Sequence, residues 1–194
     1  MNALTSALPP ELAARLLRPT IRLEGPVNAA MLSSFHQQLE PVLDSPGAIL
    51  LQLYSEGGDA ETGRRLAQEI RLLRGHGGHD MWFLGATLVA SAAVTVMAAF
   101  PIARRWATRD TTFLFHERRM TRDIHLDQAL AGCRQMLEEA IAEIDNGIRL
   151  EVEGFHDLAA GSGMTSEELR KRAASSWYVP ADEALRLGLI GGVV

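Results

Sequence analysis

Two side chains in this sequence have the types and order that acyl transfer requires: Ser91, inside Val89-Ala90-Ser91-Ala92-Ala93, and His116, which follows Thr112-Phe113-Leu114-Phe115. A serine hydroxyl is a weak nucleophile until an imidazole accepts its proton, so a Ser–His pair brought together by the fold is the minimum for forming an acyl-enzyme. The same chemistry needs backbone N–H groups aimed at the developing oxyanion, and glycine permits the close approach. Ser55-Glu56-Gly57-Gly58 is a glycine turn that follows an apolar run. Taken singly, each feature has a plainer reading. A serine among Ala and Val is ordinarily a packing residue, a histidine at a strand end is ordinarily a satisfied polar group, and a Gly-Gly turn serves any strand-to-helix connection. The three carry weight through their joint order and spacing. His36, His76, His79, His125 and His156 have no comparable surroundings and read as surface residues.

The elements that must position these groups emerge from the hydrophobic pattern. Residues 20–23 read as a short strand, broken by Gly25-Pro26 before a helix over 29–43 with Asn28 as its N-cap. Residues 48–54 (AILLQLY) are a nearly continuous apolar run of strand length, which predicts a strand buried on both faces. From Asp59 the period changes: Leu66, Ile70 and Leu73 share one helical stripe, and the glycines of 75–78 end that helix. Next come a strand over 81–84, a small-residue helix over 91–100 and a strand over 111–115. This alternation predicts an α/β fold with right-handed crossovers and a mostly parallel sheet. A long helix over 126–158 has Leu130, Cys133, Leu137, Ile141, Ile144 and Ile148 at three- and four-residue intervals, and such a helix projects or packs on another subunit. Thr165 and Glu168 form a capping box, Trp177-Tyr178-Val179 reads as the last strand, and Pro180 opens a final helix closed by Gly188.

Composition narrows the function classes. The 194 residues predict a single domain over 1–194, with a short N-terminal arm (1–19) and a long helical head segment (124–160). A net charge of −5 lacks the electrostatic footprint of a nucleic-acid binder. The single Cys133 cannot form an internal disulfide and no Cys/His cluster has metal-ligand spacing, so neither a metal nor another cofactor is expected and a cytoplasmic location is. Residues 1–19 lack the apolar core of a signal peptide. Residues 81–103 carry no charge and are long enough to cross a bilayer, yet their Gly, Ser, Thr and Pro content favours a buried strand followed by a core helix, so no membrane span is expected.

Four pieces of the sequence resemble the proteolytic subunit of Clp protease, a serine peptidase of the ClpP/crotonase superfamily. Ser55-Glu56-Gly57-Gly58 resembles the family's S-P-G-G turn, with Glu56 in place of proline. Val89-Ala90-Ser91-Ala92-Ala93 resembles its A-A-S-M-G nucleophile turn. The pattern then runs ungapped to Phe113-Leu114-Phe115-His116, which resembles the strand ending in the catalytic histidine. Val179-Pro180-Ala181-Asp182-Glu183-Ala184 through Gly188-Leu189-Ile190 resembles the closing signature. The resemblance implies a ClpP/crotonase-like α/β fold, Ser91 as nucleophile, His116 as general base, and an oxyanion hole from the N–H groups of Gly58 and Ala92. It also implies peptide or unfolded-protein substrates and a homo-oligomeric ring.

Three departures bear on what is implied. Arg172 stands where the family has the acid of its triad. After His116 the chain has Glu117-Arg118-Arg119 and reaches its long helix early, so the glycine-rich strand that pairs with substrate and joins rings is expected to be shortened or absent. The connection between Leu73 and Phe83 is longer than the family's, so an ATPase unfoldase partner is not implied automatically. Two alternatives therefore stand beside a serine endopeptidase: a ClpP-like scaffold subunit impaired in catalysis, and a crotonase-type acyl-CoA enzyme, which would have no use for the Ser91-to-His116 spacing.

Overall fold

A computed structural model describes residues 9–194; the expectations for residues 1–8 lie outside the described residues. After a one-turn helix α1 (Pro10–Ala13) the elements are β1 (Ile21–Glu24), α2 (Ala29–Leu39), β2 (Ile49–Ser55), α3 (Ala60–Gly75), β3 (Met81–Ala90), α4 (Ala92–Met97), β4 (Arg105–Ala107), β5 (Thr112–Phe115), α5 (Leu130–Ala159), α6 (Ser166–Ala173), β6 (Trp177–Pro180), α7 (Ala181–Arg186) and β7 (Gly192–Val193). Seven strands form one sheet in the order β1-β2-β3-β4-β7, all parallel, with β5 joining β3 in parallel and β6 pairing antiparallel to β5. This is the α/β architecture with a mostly parallel sheet that the strand–helix alternation predicts.

The apolar runs of the central strands are explained by burial on both faces. Ile49, Leu51 and Leu53 of β2 and Met81 and Phe83 of β3 enter the main core with Phe35 of α2, Leu66 and Ile70 of α3 and Ala93, Val96 and Met97 of α4. The intervening Leu50, Trp82, Leu84 and Trp106 pack on the other face with Leu12 of α1. Strand periodicity of two sends successive side chains to opposite layers, so Leu50 and Leu51 are both buried, and polar side chains enter β2 only from Gln52 onward. Among the described residues no helix is long and apolar enough to cross a membrane; the uncharged stretch 81–103 is divided among β3, α4 and the short 3-10 turn Ile102–Arg104.

Local signals set the helix starts as expected. The Asn28 side chain accepts from the N–H groups of Ala30 and Met31, and the Thr165–Glu168 capping box is formed in both directions. Three expectations are corrected. β3 runs ten residues rather than four, because it continues past a bulge: Leu53 pairs with Gly85 but Ser55 with Val89, and Thr87 takes φ 56° in between. Before the bulge β3 pairs with β4 and beyond it with β5. Trp177–Pro180 is not the last strand, since the two-residue β7 comes after it and closes on β4. β4 itself has no counterpart in the sequence pattern, because it is built around a charged residue: Arg105 is 1% exposed and donates to the carbonyls of Phe100, Leu158, Leu189 and Ala98. Burial pushes its guanidinium down to about 10, and the carbonyls replace the water it has lost.

Candidate active site

The site forms where β2, β3 and β5 end together at the carboxyl edge of the sheet, the edge at which open α/β sheets place ligands. Ser55 pairs with Val89 and Ala90 pairs with Leu114, so the residues after each strand, Glu56-Gly57-Gly58, Ser91 and His116, emerge side by side. Parallel register alone does this, since neighbouring strands lie about 4.8 Å apart.

Ser91 is the turn between β3 and α4. Its N–H donates to the Leu114 carbonyl at 2.9 Å, and its own carbonyl accepts from Val94 N–H at 2.9 Å. It has φ 53° and ψ −119°, a conformation that costs an L residue on the order of 1–3 kcal/mol and persists only where the surroundings impose it. The strain lifts Ser91 out of the strand's alternation, leaving it half-buried between the buried Ala90 and Ala92. Gly57 is packed directly against it: a Cβ built on Gly57 would lie 2.7 Å from Ser91 Cβ and 3.3 Å from Ser91 Oγ. Gly57 has φ 98°, and its N–H is taken by the buried Ser55 hydroxyl at 3.1 Å. Gly58 lies against the chain after β1, where Val27 N–H donates to the Gly57 carbonyl and Asp59 N–H to the Val27 carbonyl. Among the described residues neither the Gly58 nor the Ala92 N–H has an acceptor.

His116 comes directly after β5 and is half-buried. Its Nδ1 lies 2.6 Å from the carbonyl of Glu117. A carbonyl only accepts, so Nδ1 carries a proton, and in the neutral ring Nε2 then presents its lone pair, the tautomer a general base needs. Among the described residues no hydrogen bond joins Ser91 Oγ to His116. The segment after the histidine is held from three sides. Glu117 N–H donates to the Ala173 carbonyl, Arg118 N–H donates to Glu151 Oε2 at 2.7 Å, and the Arg118 guanidinium meets Glu61 Oε1 at 2.6 Å. Residues 116–129 contain neither helix nor strand, in keeping with the expected loss of the glycine-rich strand.

The bond from Arg118 ties the histidine segment to the start of α3, one turn beyond the Gly57-Gly58 turn. That hydrogen bond is the main reason the Glu61 carboxyl is held below the usual range. Asp59 is lowered too, chiefly by the Thr62 hydroxyl and N–H at the cap of α3. Arg172 lies over the Trp177 ring, 5.0 Å from its centroid, and Trp177 in turn packs on Phe115 at 5.2 Å. No carboxylate stands at position 172; Glu168, one turn away, serves the capping box, and Asp157 pairs with Arg71 at 2.7 Å. Among the described residues no group of His, Cys, Asp and Glu side chains could hold a metal.

Sequence reasoning missed Glu151. It is the buried carboxylate of α5, 8% exposed, bonded to Arg118 N–H and to Arg170 Nε at 3.0 Å. A signal was present, for Glu151 lies three residues after Ile148 and four before Phe155, on the stripe where an apolar residue is due.

Comparisons with known proteins bear on the family and the fold. The Clp protease family model matches residues 11–194. The chain is similar to the ATP-dependent Clp protease proteolytic subunit 3 of Rhizobium johnstonii and to that of Rhizobium etli, 25% identical to each over 176 residues, covering 90% of this chain and 83% of the relative. A mutant of ClpP1 from Listeria monocytogenes superposes with a TM-score of 0.74 at 19% identity, over 94% of this chain and 95% of that one, which shows the fold. A family match that begins in α1 and ends at the last residue takes in every strand and turn just described, and on that ground the chain belongs to the Clp protease family.

Proposed function

We propose that the protein is a serine peptidase in which Ser91 is the nucleophile, His116 the general base, and the N–H groups of Gly58 and Ala92 the oxyanion hole. The observation that carries the reading is the backbone of Ser91. A residue with a Cβ is held at φ 53° and pressed against Gly57, with two free N–H groups on either side of the contact; packing alone would be served without strain by glycine, so the side chain that is kept there is kept for its hydroxyl. In the reaction, Ser91 Oγ attacks the substrate carbonyl carbon and passes its proton to His116 Nε2. The oxyanion is met by the two N–H groups, and the proton is delivered to the leaving amine as the C–N bond breaks. Water, deprotonated by the same Nε2, then attacks the acyl carbon, and the proton passes to Ser91 Oγ as the ester C–O bond breaks and the acid leaves.

The substrate class this chemistry serves is peptide or unfolded protein. A homo-oligomer accounts for the apolar residues that residues 116–129 and α5 leave exposed, among them Met120, Leu126, Leu130 and Ile141. The lone Cys133 suits a reducing, cytoplasmic setting.

A fluorophosphonate probe tests the reading: attack by Ser91 Oγ on phosphorus expels fluoride and leaves a stable adduct. Peptide mapping of the folded protein is expected to find the adduct on Ser91 and none in the Ser91→Ala variant. A folded protein left unmodified would instead support the impaired scaffold.

A further inference from the structure

We propose that Glu151 is a positioning residue for His116 and acts through the peptide group between Glu117 and Arg118, in the role that a carboxylate at position 172 would otherwise have; the inference rests on His116 being the base.

One peptide unit touches both groups, one on each side. Its carbonyl, that of Glu117, accepts from His116 Nδ1 at 2.6 Å. Its N–H, that of Arg118, donates to Glu151 Oε2 at 2.7 Å. In a trans peptide the C=O and N–H point in opposite directions, so imidazole, amide and carboxylate lie in series with their dipoles aligned. Hydrogen bonds in series polarise one another: a carboxylate on the N–H side increases the negative charge on the carbonyl oxygen. The Glu117 carbonyl is then a better acceptor for Nδ1–H, and it gains most when the ring becomes imidazolium. Those are the two services of a triad acid, holding the tautomer and stabilising the charged ring.

The surroundings leave Glu151 enough charge to do this. It is buried, where a carboxylate is costly unless bonded and where its field is least screened. From α6, Arg170 takes the other oxygen, whereas Arg172 lies over Trp177. From α3, Glu61 pairs with the Arg118 guanidinium and with Arg64 at 2.6 Å, so the Arg118 side chain is answered before it can cancel Glu151. Asp59 accepts from Thr62, and Arg119 reaches Ser176.

A plain structural anchor would make the same bond to Arg118 N–H, and the two roles part on the sign of paired substitutions. Glu151→Gln keeps the size and an acceptor oxygen but removes the charge. Arg170→Gln leaves the charge and removes the cation that shares it. The relay expects these to move His116 in opposite directions. In 15N-histidine-labelled protein, with His116→Gln for assignment, the Nδ1–H resonance should move upfield in Glu151→Gln and further downfield in Arg170→Gln. The acid limb of the fluorophosphonate pH–rate profile should move to lower pH in the first and to higher pH in the second. The plateau rate should fall roughly tenfold in Glu151→Gln, the scale of one unit charge acting across a peptide group at an effective dielectric of about 20.

Shifts in the same direction, or no shift in variants with native thermal melts, would overturn the relay. Should Glu151→Gln fail to fold, Arg170→Gln decides alone: a resonance that stays in place rejects the proposal. The resonance does not depend on Ser91, so an unlabelled wild-type protein would reject the peptidase reading while the relay is still judged by the spectrum.

Discussion

Gly57→Ala tests the site most directly, because Gly57 is the residue through which the turn after β2 touches Ser91. The added methyl would sit 2.7 Å from Ser91 Cβ and 2.9 Å from the Ala90 carbonyl, distances at which something must shift. Gly57 also adopts φ 98°, disfavoured for alanine. The φ penalty is about 1–2 kcal/mol, against which the stiffer unfolded chain returns about 0.4–1 kcal/mol. Overpacking against backbone and a strained serine adds about 1–3 kcal/mol. Gly25→Ala is the matched control: Gly25 has φ 90° and nothing within 4 Å of the added Cβ, so it reports the backbone cost alone. Thermal melts at one protein concentration should therefore place Gly57→Ala below Gly25→Ala by about 1–3 kcal/mol, the overpacking share. The fluorophosphonate rate should fall about 100-fold in Gly57→Ala, the penalty for displacing a reacting group by around 1 Å, and stay near wild type in Gly25→Ala. Equal melts and equal labelling in the two variants would refute the placing of Ser91 against the turn.

Other consequences can be checked with the same material. Arg172→Asp would put a carboxylate at position 172; with Nδ1 already bonded to the Glu117 carbonyl, the labelling rate should change by less than about threefold, against the roughly 10⁴-fold effect of a working triad acid. Arg105→Met should lower stability by about 3–5 kcal/mol in denaturant melts, the range for breaking a buried charged network, because four carbonyls lose their donor. Glu61 is held below its ordinary range mainly by Arg118, so its stabilising share is present above the ordinary glutamate value and is lost as pH falls through the lowered one; melts between pH 6 and 3, roughly spanning that window, should show a smaller acid-side loss in Glu61→Gln than in wild type. Sedimentation at micromolar concentration should find a species well above the 21.2 kDa monomer, and a monomer alone would leave the exposed apolar face of α5 without its explanation.

Short windows of sequence determine the features that can be read from it. Asn28 and the Thr165–Glu168 pair mark helix starts because capping is a matter of three or four residues. The buried strands announce themselves because two apolar layers demand the run Ile49-Leu50-Leu51 in β2 and Met81-Trp82-Phe83-Leu84 in β3. β4 and β7 are illegible for the converse reason. Three residues beginning with Arg and two beginning with Gly have no pattern of their own; they are strands because Arg105 is fixed by carbonyls from three other segments and because Gly192 alone fits against the Trp106 ring, where a Cβ would lie 2.5 Å away.

The site divides along the same line. Ser91 and His116 stand in one ungapped stretch, and a parallel pairing of β3 with β5 is enough to bring their strand ends together. The acid has to be sought at a distance, and counting back along the chain leads to position 172, where an arginine stands. The charge that faces this histidine instead comes from α5, reaching it across a peptide bond. No spacing rule covers that arrangement, because it depends on which face of a single amide each partner approaches. A glutamate in a register that otherwise holds Ile148 and Phe155 is the one trace it leaves in the sequence. A carboxylate in an apolar stripe is costly enough to require a partner, and here the partner is the backbone of the residue two beyond the catalytic candidate.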